Sequence, residues 1–201
     1  MHLSLESEYF LTILRFSLQL QNVFQIVRFG SNKLIFKERK TMQTTHFDKQ
    51  QAYEKILQRA EAVLSGDGDR DQKLMNISKL LESEIPYFDW VGFYIVDPES
   101  PRELVLGPYV GAETDHTRIG FGTGICGQAA EREETFVIQD VSKEDNYLAC
   151  SLTVKSEVVV PVFKNGAIIG ELDIDSHVLE PFTPEDKQYL EMLCKSLENI
   201  F

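Results

Sequence analysis

Two apolar runs that meet at an Asn-Gly pair constrain the fold of this chain most strongly. Residues 158–163 form the first run, residues 167–174 form the second, and Asn165-Gly166 lies between them. This pattern is typical of a β-hairpin, because Asn and Gly tolerate the positive φ angles of tight hairpin turns. Acidic residues stand where strands usually carry Val or Thr, at Glu157, Asp173 and Asp175.

The register of the hairpin decides on which face the acids lie. A loop of residues 165–166 would place Val158 opposite Asp173 and would mix apolar and acidic side chains on both faces. A loop of residues 164–166 instead places Glu157 opposite Asp173 and sorts the faces, because strand side chains alternate. We therefore expect the longer loop.

Three carboxylates share one face in the expected register, because Asp175 lies diagonal to Glu157 and Asp173. Like charges that face each other destabilise a sheet. The face is therefore either solvated by water or part of a pocket in which crowding raises a carboxyl pKa enough for proton donation near neutral pH. Cys150, seven residues before Glu157, favours the pocket only in part.

The charge and the cysteine content exclude several classes of protein. The net charge is −12 and the acids are spread through the chain, so the basic patch of a nucleic-acid-binding protein is missing. Three cysteines cannot form a fully paired disulfide framework, and this favours a reducing compartment, so we expect a cytoplasmic protein. No run of eighteen uninterrupted apolar residues occurs, so we expect neither a transmembrane helix nor a membrane partner.

The first 41 residues differ from the rest, because they carry six basic residues against three acidic ones. Residues 9–27 are rich in Phe, Leu, Ile and Val but lack the basic start and the cleavage site of a secretory signal. This segment could be an added helix, a membrane-surface segment or a non-native extension upstream of a start at Met42. We favour the last interpretation and predict a main domain of residues 42–201.

The order of the remaining elements indicates the fold class. Helical spacing of apolar residues marks residues 47–65, 72–84 and 184–201, and strand patterns mark residues 89–96, 103–109 and 135–139. A glycine-rich loop and a short helix lie between the strands and place Cys126 near a helix N-terminus, where the partial positive charge would lower its thiol pKa. The order predicts an α+β fold: a mainly antiparallel sheet with N- and C-terminal helices on one face and a ligand pocket on the other.

Several spaced motifs together resemble the free methionine-(R)-sulfoxide reductases, a family of single GAF domains. The resemblance extends from about Gln50 to the C-terminus and implies a GAF-like fold. The motifs are Asp89-Trp90-Val-Gly92-Phe-Tyr94, Leu106-Gly107-Pro108, Gly124-Ile-Cys126-Gly-Gln-Ala-Ala130, Asp140-Val141, Leu148-Ala-Cys150, Ser156-Glu157-Val-Val-Val-Pro161 and Gly170-Glu-Leu-Asp173-Ile-Asp175-Ser176.

The resemblance implies a role for the thiol and for the acids of the hairpin. The thiolate of Cys150 would attack the sulfur of free methionine sulfoxide, and Glu157 would contact the sulfoxide oxygen. Asp173 and Asp175 would hold the amino group of the substrate. A nearby acid would protonate the departing oxygen, methionine would leave, and Cys150 would become a sulfenic acid.

The resemblance also implies a substrate wall and a route for regeneration. Trp90 and Tyr94 would form the wall around the methyl end of the substrate. Cys126 is the candidate resolving thiol that would form a disulfide with Cys150, and an external thioredoxin-type reductant would reduce it. No bound cofactor is implied, and a homodimer stays open.

The chain departs from the family pattern in two places. Many members have a further cysteine ten residues before the position of Cys126, and this chain has His116 there. The usual His and Asp around the nucleophile are also replaced, in Tyr147-Leu-Ala-Cys150-Ser151. These departures leave a second class of function open, a non-catalytic GAF sensor that binds a small molecule in the same pocket.

Two further groups of residues receive no chemical role. Cys194 lies among the apolar residues of the last helix, and we expect it in the core. His116, Asp115 and Cys150 match no strong zinc-binding spacing, so we predict no metal site.

Overall fold

The computed structural model describes residues 24–29, 33–38, 47–148 and 153–201. The chain divides into two compact units between Phe47 and Asp48. The first unit contains an antiparallel hairpin of β1 (Phe24–Phe29) and β2 (Lys33–Glu38). Residues 24–27 therefore lie in a strand and not in the helix considered for residues 9–27. The rest of that segment lies outside the described residues, and the boundary at residue 42 stays a prediction.

The second unit has the helix and strand order that the sequence patterns indicate. The α+β prediction is confirmed, with β5 as the strand that the patterns missed. In chain order the elements are α1 (Lys49–Ser65), α2 (Arg70–Glu84), β3 (Trp90–Asp97), β4 (Ser100–Val110), β5 (Arg118–Gly120), α3 (Gly124–Arg132), β6 (Phe136–Ile138), β7 (Ser156–Lys164), β8 (Ala167–Ser176) and α4 (Pro184–Ser196). A 3-10 turn at Val141–Lys143 lies between β6 and β7, and another at Leu197–Ile200 follows α4.

The strands form one sheet in the order β5-β4-β3-β8-β7-β6, in which every neighbouring pair is antiparallel. The hairpin of β7 and β8 lies between β3 and the edge strand β6, and the edge strands β5 and β6 are only three residues long. Short edge strands leave few unpaired backbone groups for a foreign strand. The acids of the hairpin therefore lie on interior strands of the sheet.

The N- and C-terminal helices form a layer on one face of the sheet, as predicted: α2 and α4 pack on its strands, and α1 packs on α2 and α4. Helix α2 packs on β3 and β4, and α4 packs on β7. The inward face of α2 consists of the buried residues that its apolar spacing indicated: Leu74, Ile77, Leu80 and Leu81. Cys194 of α4 is buried, and its Sγ lies 3.9 Å from the carbonyl oxygen of Val160, so its expected place in the core is confirmed.

Asp186, at the start of α4, links the helical layer through one buried carboxylate. Its Oδ2 lies 2.6 Å from the Nζ of Lys49, and its Oδ1 accepts hydrogen bonds from the hydroxyls of Tyr53 (2.8 Å) and Tyr87 (2.6 Å). Burial alone would raise the pKa of Asp186, but hydrogen bonds from Lys49, Tyr87 and other donors outweigh burial and lower it. The carboxylate therefore stays charged and ties α1, α4 and the segment before β3 together.

The turn of the β7–β8 hairpin is the shorter of the two that were considered. Lys164 pairs with Ala167, so the loop consists of Asn165 and Gly166 alone. Both residues have positive φ angles, 52° and 80°, as a type I′ turn requires. The expectation of a three-residue loop is therefore wrong, because Asn-Gly satisfies the tightest hairpin turn without the help of Lys164.

A one-residue bulge restores the sorting of the two faces. Ile168 pairs with Phe163 and Gly170 pairs with Val162, which leaves Ile169 without a partner residue on β7. An inserted residue reverses the alternation of side chains beyond it. Beyond the bulge Glu157 pairs with Asp175, and not with Asp173 as predicted. The predicted pairing is thus wrong by two residues, while the predicted sharing of one face holds.

Candidate functional site

Four acidic side chains lie together on the sheet face that α3 covers. They are 4%, 0%, 1% and 3% exposed, in the order Glu157, Glu171, Asp173 and Asp175. The alternative of a water-solvated sheet face is therefore excluded. Sequence analysis gave Glu171 no part in the site; its position two residues before Asp173 on the same strand was the available signal.

The thiol of Cys126 lies against this group of acids. Cys126 is in the first turn of α3, as predicted, and its Sγ lies 3.8 Å from Oε1 of Glu157. One ligand atom each from Cys126, Glu157 and Asp173 lies within 4.8 Å of the other two, and all three residues are buried. The structure therefore brings a thiol and two of the predicted acids into one cluster.

The close approach of α3 depends on a glycine in its first turn. The amide of Gly122 donates to the carbonyl of Gly127 at 2.6 Å, so the loop before the helix folds back onto it. A Cβ at Gly127 would lie 2.3 Å from the carbonyl oxygen of Gly120, which is a backbone atom and cannot rotate away. The glycine-rich sequence thus allows the start of α3, which carries Cys126, to pack closely on the acidic face.

Burial dominates the electrostatics of the acids. It raises the pKa of Glu157 well above its ordinary value, and the negative charges of Asp173, Asp175 and Glu171 raise it further. Burial likewise raises the pKa of Asp173 to about 7, and it raises those of Glu171 and Asp175. The direction of these pKa shifts is the expected one, but their main cause is loss of water and only secondarily crowding.

Several oxygen atoms in the cluster have no hydrogen-bond partner among the described residues. These atoms are both carboxylate oxygens of Glu171, Oδ1 of Asp173 and Oδ1 of Asp175. Buried polar groups are normally paired, because an unpaired one costs about 1–3 kcal/mol. The atoms therefore mark places for protons or for a ligand with donor groups.

Aromatic side chains line the neighbouring strand on the same face. Trp90 pairs across the sheet with Asp175, and Tyr94 pairs with Glu171. The ring centroids of Trp90 and Tyr94 are 6.5 Å apart, and a Cβ at Gly92 would lie 2.3 Å from the Trp90 ring. Gly92 therefore leaves room for the indole to lie along the sheet, and the predicted wall residues do lie next to the predicted acids.

His116 lies in the loop between β4 and β5, at the rim of this aromatic group. Its carbonyl accepts a hydrogen bond of 2.8 Å from the hydroxyl of Tyr94, and its side chain is half-buried. The position that carries a cysteine in many reductases is thus joined to the site through its backbone.

Cys150 itself lies outside the described residues, so no distance joins its thiol to that of Cys126. The chain on both sides of residues 149–152 contacts elements of the site. A Cβ at Gly124, the first residue of α3, would lie 2.8 Å from the Cβ of Leu148. On the other side, Thr153 Oγ1 lies 3.0 Å from Nε2 of His177, the residue that follows β8.

An open cavity on the surface of the described residues lies apart from this site. This cavity, of about 1030 Å³, is lined mainly by residues from β3, β4, β8 and the C-terminus, among them Ile95, Leu106, Ile168 and Phe201. None of the predicted site residues contributes to it. The candidate site is therefore a group of buried acids and a buried thiol, and it does not coincide with this open cavity.

Comparison with known proteins identifies the family. Residues 69–201 match the family model of the GAF domain. The free methionine-R-sulfoxide reductase of Escherichia coli is 38% identical over 139 residues, which cover 69% of this chain and 82% of the relative. The chain belongs to the GAF-domain family of free methionine-R-sulfoxide reductases. The resemblance noted from the sequence motifs is therefore confirmed.

Other members of the GAF family agree with this assignment. GAF domain-containing protein A of Dictyostelium discoideum is 42% identical over 75% of this chain and 93% of the relative. The free methionine-R-sulfoxide reductase of Neisseria meningitidis, solved in complex with its substrate, superposes with a TM-score of 0.73 and is 42% identical, covering 80% of this chain and 96% of that one. The GAF-like fold is therefore shown by sequence and by structure. No helix in the part of the chain that the structure describes has the length and apolarity needed to cross a membrane.

Proposed function

We propose that this chain reduces free L-methionine-(R)-S-oxide to methionine with a cysteine nucleophile. The proposal is carried by the buried cluster of Cys126, Glu157 and Asp173 in a member of this reductase family. A buried acid that holds a proton near neutral pH suits the departure of the sulfoxide oxygen. The roles of the individual residues are part of the proposal.

The unpaired aspartate oxygens suit the amino group of a free amino acid. Asp173 and Asp175 each bury an Oδ1 that has no partner among the described residues. An ammonium group would donate hydrogen bonds to these atoms and would compensate buried negative charge. The neighbouring rings of Trp90 and Tyr94 would then enclose the methyl end of the substrate.

The chemical step requires one nucleophile and one proton donor. The thiolate of Cys150 attacks the sulfoxide sulfur, while Glu157 gives its proton to the sulfoxide oxygen. Oxygen passes to Cys150, methionine leaves, and the proton that left the Cys150 thiol restores Glu157. The sum is a thiol and a sulfoxide converted into a sulfenic acid and a thioether, so one sulfur is oxidised and the other is reduced.

Regeneration of the nucleophile needs a second thiol. The thiol of Cys126 attacks the sulfenic sulfur of Cys150, a disulfide forms and water leaves. A thioredoxin-type dithiol then supplies two electrons and becomes oxidised in turn. Cys126 is the proposed resolving residue because His116 occupies the position of the further family cysteine.

A non-catalytic sensor that binds a small molecule in the same pocket is the alternative. His116 and the changed surroundings of Cys150 favour it, since the chain departs from the reductase pattern at these positions. A sensor would bind free methionine sulfoxide without forming methionine. The two functions therefore differ in product and not in ligand.

Turnover by the purified chain distinguishes the reductase from the sensor. Free methionine-(R)-sulfoxide and dithiothreitol are incubated with the wild type, with Cys150→Ser and with Cys194→Ala, and methionine is quantified. We expect methionine from the wild type and from Cys194→Ala, whose sulfur lies in the core, and at least about 10³-fold less from Cys150→Ser. A wild-type rate equal to that of Cys150→Ser would contradict the reductase.

A further inference from the structure

The cluster of Cys126, Glu157 and Asp173 has the composition of a metal site as well as of a substrate site. Its three ligand atoms lie within 4.8 Å of one another on three buried residues. The charged neighbours that act on Glu157 are acids: Asp173, Asp175 and Glu171. A cation placed among these atoms would gain attraction from several directions in a water-poor surrounding.

We propose that the reduced chain binds one zinc-class divalent cation, Zn²⁺ or Cd²⁺, through Sγ of Cys126 and one carboxylate oxygen each of Glu157 and Asp173. Binding forms one metal–sulfur and two metal–oxygen bonds. The proton of the thiol, and any proton held by the two carboxyls, passes to solvent. No electron is transferred, because zinc and cadmium keep their charge.

The distances fit this class of cation. A tetrahedral zinc with Zn–S of about 2.3 Å and Zn–O of about 2.1 Å holds the sulfur and an oxygen about 3.6 Å apart. The observed separation between Sγ of Cys126 and Oε1 of Glu157 is 3.8 Å. The remaining separations reach at most 4.8 Å, so side-chain shifts of about 1 Å would complete the geometry.

Unpaired oxygens provide the second, independent sign of a ligand. Oδ1 of Asp173 and Oδ1 of Asp175 are buried without a hydrogen-bond partner among the described residues. Asp175 pairs directly with Glu157 across the two strands and is thus placed to supply a fourth ligand, or water fills that position. Magnesium and calcium are excluded as preferred cations, because both favour sites made entirely of oxygen, whereas a thiolate selects softer ions.

Metal and substrate would exclude each other. Asp173 and Glu157 are assigned above to the amino group and to the sulfoxide oxygen, and a cation on these carboxylates would occupy both places. This consequence rests on the proposed function, whereas metal binding itself does not. Zinc would therefore hold the reduced enzyme in an inactive state that free methionine sulfoxide relieves.

Direct binding tests the metal site without any turnover. The reduced chain is dialysed against Zn²⁺ to measure stoichiometry and Kd, and Cd²⁺ is added to record the ultraviolet absorption of a cadmium–thiolate bond. Wild type, Cys126→Ala, Asp173→Asn, Cys150→Ser and the matched control Cys194→Ala are compared, with circular dichroism as the check on folding. We expect one metal per chain in the wild type and in Cys194→Ala, at least 100-fold weaker binding in Cys126→Ala, and at least tenfold weaker binding in Asp173→Asn.

The outcomes separate this proposal from the reductase. If folded Cys126→Ala binds zinc as tightly as the wild type, the metal site is overturned and the reductase stands. Loss of the cadmium–thiolate absorption in Cys150→Ser, with its retention in Cys126→Ala, would also overturn it, because another thiol would then be the ligand. Zinc binding through Cys126 that methionine sulfoxide does not weaken would support the metal site and contradict the proposed substrate site.

Discussion

At the scale of single residues, the site is defined by how deeply its acids are buried. Glu157, Asp173 and Asp175 were predictable because acids interrupt an apolar strand pattern. Glu171 stands in the same pattern, but it has no counterpart in the roles that the family resemblance supplied. Its carboxyl is fully buried and neither oxygen has a hydrogen-bond partner among the described residues. Burial of this kind depends on α3 closing over the sheet, which no spacing along the strand reveals.

Removal of the Glu171 charge is expected to stabilise the chain at alkaline pH. Burial raises the pKa of Glu171 in the folded chain above its unfolded value. The protonated carboxyl therefore contributes to the free energy of unfolding at low pH, and this contribution is lost as pH rises through the folded-state pKa. Glu171→Gln, which keeps the shape, should raise the free energy of unfolding by about 1–3 kcal/mol at pH 8. The change should be smaller at pH 5, because lower pH favours the protonated acid, which carries no buried charge.

Urea unfolding at the two pH values measures this difference. Glu113→Gln, at an exposed position in the loop between β4 and β5, is the matched control and should change neither value by more than about 0.5 kcal/mol. A Glu171→Gln variant that is less stable than the wild type at pH 8 would show that the carboxylate is paired in solution.

Glu157 is expected to control the alkaline side of the pH profile of turnover. Its pKa is raised by burial and by Asp173 and Asp175, so its protonated form persists to higher pH than in an ordinary glutamate, and kcat/KM should fall as pH rises through the raised pKa. Glu157→Gln should lower kcat by about 10²–10³-fold and remove that alkaline fall. Initial rates from pH 5 to pH 9 measure both effects; an unchanged alkaline fall in the variant would assign it to another group.

At the scale of elements, some features of the hairpin could be predicted from the sequence and others could not. Asn165-Gly166 and the apolar runs predicted the two strands of the hairpin and the face that the acids share. The pairing of Glu157 with Asp175 depends on a bulge at Ile169, and Ile168 and Ile169 give no sign of which residue is extra. Strand β5 has three residues and is too short to show an alternating pattern.

The close packing at the start of α3 can be tested by substitution of Gly127. A Cβ there would lie 2.3 Å from the carbonyl oxygen of Gly120, whereas a Cβ at Gly120 would have its nearest neighbour, Oγ1 of Thr123, at 3.7 Å. Gly127→Ala should therefore displace the start of α3, lower the free energy of unfolding by about 1–3 kcal/mol and reduce turnover. Gly120→Ala is the control, with little effect on either. Thermal unfolding and initial rates check the pair, and equal effects of the two variants would contradict the close packing.

At the scale of the whole molecule, the helical layer supports the sheet, whereas the acidic face carries the candidate site. The apolar periodicities of α1, α2 and α4 predicted the layer that supports the sheet, because they depend only on local spacing. The Asp186 network that fastens this layer joins residues more than 90 positions apart. Long-range polar contacts of this kind leave no mark in a local pattern, and so they became visible only in the structure.

Asp186→Asn should destabilise the fold without changing the chemistry of the site. The variant leaves the Lys49 ammonium without its buried carboxylate partner, and breaking a buried pair costs about 3–5 kcal/mol. The folded-state pKa of Asp186 is lowered, so the wild type should lose this contribution as pH falls through that pKa. Chemical denaturation measures the loss. If the folded variant kept wild-type stability, Asp186 would not be the fastening group.

The central claim is that Cys150 receives oxygen from free methionine sulfoxide beside the buried acids and that Cys126 then resolves it. A single-turnover experiment without added reductant tests this most directly. The reduced chain is mixed with one equivalent of methionine-(R)-sulfoxide, and methionine and remaining thiols are counted. The account predicts one methionine and the loss of two thiols per wild-type chain. It predicts one methionine and a trappable sulfenic acid on Cys150 in Cys126→Ala, and no methionine in Cys150→Ser. Methionine formed by Cys150→Ser, or a wild-type chain that keeps all its thiols, would contradict it.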